Sequence, residues 1–121
     1  LSGRAEKFGR STEHREKYDV VVSRAVAEIA QLVELALPFC RKDGIFVSQK
    51  GLDVNLELNR GREAIAELGG EVSEVVRVGK VVSSLSRAYL VVFRKASYTP
   101  KKYPRRDGIP AKRPIGICIL K

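Results

Sequence analysis

The chain of 121 residues contains no methionine, no tryptophan, one histidine and only two cysteines. The histidine, His14, lies in the charged run TEHREK, which disfavours a histidine base or a histidine-ligated metal. Cys40 and Cys118 have neither CxxC spacing nor a neighbouring histidine. Free thiols in a cytosolic protein are therefore favoured over a disulfide or a metal site, and we expect no bound metal.

Long hydrophobic runs and a targeting pattern are also missing. The longest apolar runs are far too short to cross a bilayer, so we expect no membrane partner. We expect a cytoplasmic protein, or a plastid protein if the source is a plant. The chain opens on Leu1-Ser2 rather than methionine, and we interpret it as a piece of a longer protein.

The basic residues are concentrated at one end of the chain. The formal net charge is +9, yet from Arg94 onward nine basic residues face one acid, Asp107. The preceding part is close to neutral, as in an ordinary globular body. We therefore divide the chain into a folded domain over residues 1–95 and a basic tail over residues 96–121.

The tail has a composition that suits contact with RNA. It holds four of the five prolines, so no regular structure is expected there. Its cations alternate with Tyr98 and Tyr103, which are rings of the kind that stack on unpaired bases. The alternative is a merely solvated basic end. The predicted RNA-contacting residues of the tail are Lys101, Lys102, Arg105, Arg106, Lys112 and Arg113.

The stretch YDVVVSRAVA predicts a strand with a ligand site at its end. The β-branched run over Asp19–Val22 is typical of a parallel strand buried on both faces. Ser23 and Arg24 follow at its carboxyl end, where open α/β sheets bind ligands. The alternative for Arg24 is a cap on the sheet or an ion pair with a nearby acid.

Periodicity places the other elements. In the first helix, Glu28, Gln31 and Glu34 mark a polar side. Only the last two strands lack room for a helical crossover, so the order βαβαββ predicts a parallel pair and a terminal antiparallel hairpin. The elements are a helix over Ala25–Leu37, a connector over Phe39–Asp43, a strand over Ile45–Val47, a helix over Val54–Leu68, and strands over Val72–Val78 and Ala88–Phe93.

The first strand has one edge without a predicted partner. An open apolar edge promotes pairing with other chains. We expect either an upstream segment to cover the edge of Asp19–Val22 or the chain to self-associate through it.

Six segments occur in an order typical of one family. They are GRAE (Gly3–Glu6), YDVVVSRAVA, LPFCRKDGIFVSQKG, LGGEV, VVFRK and TPKKYPRRDGIPAKRPI. Together they closely resemble the C-terminal half of the small-subunit ribosomal RNA guanine-N7 methyltransferases, once called glucose-inhibited division protein B. The likeness covers nearly the whole chain, although Gly116–Lys121 does not look like the usual family end.

The resemblance implies a fold, a donor and a substrate. The fold would be the C-terminal half of a class I (Rossmann-like) methyltransferase sheet, with S-adenosylmethionine as cofactor and 16S ribosomal RNA or the small ribosomal subunit as partner. Ala5 and Glu6 would line the adenine pocket, and Arg24 would contact the donor. Residues implied to face RNA or the site are Arg4, Lys50, Arg105 and Arg106. For Lys50 the alternative is a surface lysine at a strand end.

The chain departs from the family at the cofactor. The family's glycine-rich loop and the acidic residue that binds the ribose are absent, and neither Gly69-Gly70 nor Gly79-Lys80 has the spacing to replace the loop. We expect the chain alone to bind cofactor weakly or not at all, and assign no catalytic residue. The rival interpretation is a non-catalytic basic RNA-binding or ribosome-associated module. Only fold-level analogy supports a nicotinamide enzyme.

Overall fold

The part of the chain that the structure describes forms a four-stranded mixed sheet with two helices. The computed structural model describes residues 13–23, 27–51, 54–77 and 89–105. The elements are β1 (Tyr18–Ser23), α1 (Ile29–Ala36), a 3₁₀ turn (Leu37–Phe39), β2 (Cys40–Lys50), α2 (Val54–Glu67), β3 (Gly70–Arg77) and β4 (Tyr89–Lys95). The strand order is β1-β2-β4-β3, in which β1 and β2 pair in parallel and β4 runs antiparallel to both of its neighbours, β2 and β3. The predicted α/β order and the terminal antiparallel hairpin are confirmed.

The core lies between α1, α2 and one face of the sheet. Phe46 and Phe93 are cross-strand partners whose stacked rings lie 5.5 Å apart, centroid to centroid. Gly61, in the middle of α2, is explained by close helix packing, because a Cβ there would lie 2.9 Å from the side chain of Ile29. The glycine therefore costs helix propensity but permits the contact between the two helices.

The prediction that β1 is buried on both faces is wrong. Val21 packs against the core, but Val20 and Val22 are 54% and 67% exposed. The reason is that successive strand residues point to opposite faces, and within the described ranges both helices pack on the face of Val21. β1 is also an edge strand among these elements.

The predicted connector over Phe39–Asp43 is also wrong, because β2 begins at Cys40. The register passes from Tyr18↔Cys40 to Val20↔Ile45, so β2 contains extra residues at this point. Asp43 has a φ of 71°. The Asp43-Gly44 pair thus forms an irregularity within a long strand rather than a turn between elements.

The other boundaries fall close to the predicted ones. α1 begins at Ile29 rather than Ala25, since Glu28 is its extended N-cap with ψ 146°. α2 starts at Val54 as predicted, and β3 and β4 differ from the prediction by one or two residues at each end. The segment between the last two predicted strands, residues 79–87, lies outside the described residues.

Candidate donor edge and nucleic-acid interface

The parallel pair places the ends of β1 and β2 at one edge of the sheet, which we call the carboxyl edge. β1 ends at Ser23, which pairs with Ser48, and β2 ends two residues later at Lys50. This is the edge at which open α/β sheets bind ligands. Arg24 follows Ser23 in the chain but lies outside the described residues, as do Arg4, Ala5 and Glu6, so their roles stay predictions.

Lys50 is a buried ion-pair partner at the carboxyl edge. Its residue exposure is 8%, and its Nζ lies 2.8 Å from Oε1 of Glu57 in the first turn of α2. The same Nζ donates a hydrogen bond to the carbonyl oxygen of Ala27, just before α1. The alternative of a surface lysine is therefore wrong. Lys50 ties the end of β2 to the starts of both helices, and its contact with RNA stays a prediction.

Two buried acceptor atoms at this edge have no hydrogen-bond partner among the described residues. They are Oγ of Ser48 and Oε2 of Glu28, the N-cap residue of α1. The other carboxylate oxygen of Glu28 pairs with Arg60 at 2.7 Å. Because buried polar atoms are nearly always paired, each of these two atoms has room for a partner, which water or a bound ligand can supply. They suit a ligand that carries N–H donors or positive charge.

The tail begins at the opposite edge of the sheet, which we call the amino edge. β4 runs antiparallel to β2, with Tyr89 beside Lys50 and Arg94 beside Ile45. Beyond β4, the N–H groups of Ala96 and Ser97 donate to the Gly69 carbonyl oxygen at 2.8 and 3.0 Å. In its described part, up to Arg105, the tail has no helix or strand, as predicted.

Residues before β1 hold the start of the tail in place. Arg15 donates hydrogen bonds to the carbonyl oxygens of Thr99, Pro100 and Tyr103 at 3.0, 3.0 and 2.6 Å. The carboxylate of Glu16 accepts a hydrogen bond from the Thr99 N–H at 3.1 Å. The first ten residues of the tail are therefore packed against the folded body.

Arg105 is bound by a buried acid that sequence reasoning missed. Glu34 has 0% exposure, so its assignment to a polar side of the helix is wrong. Its Oε1 lies 2.7 Å from Nη2 of Arg105, and its Oε2 accepts from the backbone N–H of Arg105 at 2.8 Å. The side-chain hydrogen bonds to Glu34 raise the pKa of Arg105, while partial burial opposes the change. Contact of Arg105 with RNA stays a prediction, and Arg106, Lys112 and Arg113 lie outside the described residues.

The two tail tyrosines have opposite environments. Tyr103 is 7% exposed and its hydroxyl donates to Oε2 of Glu67 at 3.4 Å, so the interpretation that its ring stacks on bases is wrong. Tyr98 is 68% exposed. Lys101 and Lys102 are exposed in the turn that precedes Tyr103. One aromatic ring and two of the predicted lysines therefore face solvent in the described part of the tail.

A second buried lysine, Lys95, lies at the amino edge. Lys95 has 0% exposure, and its Nζ donates to the carbonyl oxygens of Leu37 and Cys40 and lies 3.1 Å from Glu16. Burial lowers the pKa of Lys95, while Glu16 opposes that change. Burial also raises the pKa of the free Cys40 thiol to about 11, against a lowering effect of Lys95.

Neither a membrane-spanning helix nor a cluster of metal ligands occurs among the described residues. No helix among them combines the length and the apolar character needed to cross a membrane. No group of three His, Cys, Asp or Glu side chains suited to a metal ion occurs in the described ranges.

Comparison with known proteins gives matches along most of the chain. A family model described as rRNA small subunit methyltransferase G matches residues 1–86. Proteins named ribosomal RNA small subunit methyltransferase G are 47% identical over 112 residues in Bacillus licheniformis and 50% identical over 115 residues in Roseiflexus castenholzii. These alignments cover 93% and 95% of this chain but 46% and 48% of the relatives. The chain thus spans about half the length of the curated relatives it matches.

A solved structure of the CurJ carbon methyltransferase is a more distant match. It aligns with 69% of this chain and 31% of its own length, at 18% identity and a TM-score of 0.43. A likeness at this level carries no functional argument. The described strands themselves agree with the predicted βαβαββ arrangement and its terminal antiparallel pair.

Proposed function

Because the chain belongs to the rRNA small subunit methyltransferase G family, we propose that the protein carrying it methylates N7 of a guanine in 16S ribosomal RNA, with S-adenosylmethionine as donor. The observation that carries the proposal is 47–50% identity over nearly the whole chain to relatives named as methyltransferases of small-subunit ribosomal RNA. Since the chain spans about half of those relatives, the activity belongs to the whole protein. The chain alone binds the donor weakly or not at all.

The donor binds at the carboxyl edge in this proposal. Ala5 and Glu6 line the adenine pocket and Arg24 contacts the donor, as the resemblance implies. The unpaired acceptor atoms of Ser48 and Glu28 at this edge support the assignment. S-adenosylmethionine carries an ammonium and an adenine amino group, so it has the donors and the positive charge that such acceptors suit.

The reaction asks for positioning rather than proton transfer. S-adenosylmethionine supplies a methyl group on a sulfonium, and guanine N7 has a lone pair that is free to attack it. No proton has to be removed before the attack, so the protein contributes by holding donor and base in line and by shaping the electrostatics around them. Lys50 keeps β2 and the starts of both helices together at the edge where this happens.

The tail contributes affinity for the RNA backbone. Lys101 and Lys102 are exposed and available for phosphates, and Arg106, Lys112 and Arg113 extend the same charge along the sequence. Binding is therefore salt-dependent, because each phosphate contact releases counterions. Such a substrate places the protein in the cytoplasm, in contact with 16S RNA or the small subunit.

The test measures donor binding and methyl transfer by the whole protein. S-adenosylmethionine is titrated calorimetrically into the wild type, Arg24→Ala and Arg24→Lys, with Arg62→Ala on the exposed side of α2 as the matched control. We expect Arg24→Ala to lose at least tenfold in affinity and Arg62→Ala to behave as wild type. Transfer to 16S RNA is located by borohydride and aniline cleavage at N7-methylguanine.

The outcome separates this function from the rival one. Absence of donor binding by the whole protein, together with retained RNA binding, overturns the methyltransferase proposal in favour of a non-catalytic RNA-binding module. Methylation at a position other than guanine N7 overturns the assignment of the acceptor atom but leaves the family's reaction type in place.

A further inference from the structure

A cationic and aromatic surface lies at the amino edge of the sheet, opposite the carboxyl edge. It consists of Lys42, Tyr98, Lys101 and Lys102, which we call the basal patch. The Nζ of Lys42 lies 5.9 Å from the centroid of the Tyr98 ring, which is 68% exposed. Lys101 and Lys102 occupy a turn closed by the Tyr103 N–H, which donates to the Pro100 carbonyl oxygen at 3.0 Å.

The charges of the basal patch are not compensated by neighbouring acids. Asp43 follows Lys42 in the chain but pairs with Arg94 at 2.6 Å. Asp19 pairs with Arg41 instead. Among the described residues no acid forms an ion pair with any of the three lysines of the patch. The exposed Tyr98 ring therefore has the uncompensated cation of Lys42 over its face. Lys101 and Lys102 follow it by three and four residues, with the Nζ of Lys102 5.2 Å from the centroid of the Tyr103 ring.

The patch is preorganised. Tyr98 stands between Ser97, whose N–H donates to Gly69, and Thr99, whose Oγ1 donates to the Leu68 carbonyl oxygen at 2.6 Å. Arg15 donates hydrogen bonds to the carbonyl oxygens of Thr99, Pro100 and Tyr103, which fixes the backbone at both ends of the turn. The ring and the lysines are thus presented by ordered backbone, which reduces the entropy lost on binding.

The patch is distant from the carboxyl edge. Five residues of β2 separate Lys50 from Ile45, whose neighbour on β4 is Arg94. At a rise of about 3.3 Å per residue this separation is about 17 Å, and Lys42 lies still farther along the strand. A ligand that reaches both edges must therefore extend along the molecule.

We propose that the basal patch is a second contact for single-stranded RNA, in which Tyr98 stacks on a base and the three lysines bind the flanking phosphates. The inference rests on the proposed function, since it takes the RNA to be the substrate. A stacking ring flanked by cations fits unpaired nucleotides and not a duplex, whose bases are covered.

The experiment measures RNA affinity of the 121-residue chain. A fluorescent 12-nucleotide single-stranded RNA is titrated by anisotropy into wild type, Tyr98→Ala, Tyr98→Phe and Lys42→Gln, with Arg62→Gln as a control for loss of one distant charge. We expect Tyr98→Ala to weaken binding about tenfold and Tyr98→Phe to bind as wild type. Lys42→Gln should lower the slope of log affinity against log salt by about one. A 4-thiouridine RNA should crosslink to Tyr98.

Three results overturn the inference. One is equal affinity of wild type and Tyr98→Ala with no crosslink at Tyr98. Another is binding of polyglutamate as tightly as RNA, which assigns the patch to an acidic protein. The third is a loss of RNA affinity in the Arg62→Gln variant as large as the loss in the Lys42→Gln variant. Unchanged urea midpoints of the variants show that they fold. In the whole protein, Tyr98→Ala should leave the affinity for S-adenosylmethionine unchanged. Failure of the wild-type whole protein to bind S-adenosylmethionine would overturn the proposed function, and it would leave the measured RNA affinity of the basal patch unaffected.

Discussion

The carboxylate of Glu34 accepts side-chain hydrogen bonds from the guanidinium of Arg105, at 2.7 Å from Nη2 and at 2.9 and 3.2 Å from Nε. It also accepts from the backbone N–H of Arg105 at 2.8 Å. Glu34 is fully buried, whereas the Arg105 side chain is 28% exposed. A charge-assisted, two-pronged contact of this kind fixes both position and orientation. The helix α1, whose first residue follows the carboxyl edge, therefore also fixes the described end of the tail at Arg105.

We expect Glu34→Gln to lower the free energy of unfolding by about 2 kcal/mol. Loss of one partner from a buried pair costs about 3–5 kcal/mol, and partial exposure of Arg105 lets water recover some of this. Urea unfolding measures the change. The matched control is Asp19→Asn, which removes the acid of an exposed pair with Arg41 and should cost less than about 1 kcal/mol. Equal losses in the two variants would contradict a special role for the buried pair.

Local patterns predicted the elements and the β1–β2 and β3–β4 pairings, but not the contacts that decide which residues are buried. The α2 start at Val54 follows from periodicity, which is a local property. The irregularity at Asp43-Gly44 looks the same in sequence as a turn, and only pairing with β1 shows that the strand continues through it. Exposure of Val20 and Val22 depends on what covers each sheet face, which the β-branched run itself does not encode.

The candidate site shows the same limit. Glu34 carries a charge in a helix, and its partner lies 71 residues away, so nothing in its own segment marks it as buried. Tyr98 and Tyr103 both stand among lysines, yet the turn after Thr99 directs one outward and buries the other. The strand-end position of Lys50 was predictable, whereas its burial required both helices.

Gly69 should be intolerant of any side chain. It has a φ of 86°, and a Cβ there would lie 2.3 Å from the Ser97 carbonyl oxygen. We expect Gly69→Ala to lower the free energy of unfolding by more than about 2 kcal/mol, since both backbone strain and a clash with main chain contribute. Gly51→Ala is the control, because nothing lies within 4 Å of a Cβ at that position. Comparable losses in thermal unfolding of the two variants would contradict this account.

Cys40 should be unreactive at neutral pH. Burial raises the pKa of its thiol from 9.0 to about 11, so little thiolate is present. In a Cys118→Ser background, the iodoacetamide rate of the folded protein should rise with a midpoint near pH 11. A midpoint near 9 would contradict burial of the thiol.

The raised pKa of Cys40 also makes the free energy of unfolding depend on pH. Between pH 9 and about 11 the unfolded state loses the Cys40 proton while the folded state keeps it, so this group's contribution to stability falls as pH rises. The lowered pKa of Lys95 acts in the opposite direction below 10.5, because the unfolded state then binds more protons. Cys40→Ala should remove the falling component, as measured by urea unfolding at pH 8, 9 and 10.

The exposed face and edge of β1 should cause self-association of the chain. Val22 is 67% exposed on a strand that, among the described elements, pairs only with β2. Open strand edges recruit other strands, and an edge lysine prevents this. We expect sedimentation velocity to show concentration-dependent association that Val22→Lys reduces about tenfold. The matched control is Leu56→Lys on α2, where the residue is 58% exposed but has no strand edge. Equal association of the two variants would locate the contact elsewhere, whereas a monomeric wild type would contradict the predicted self-association.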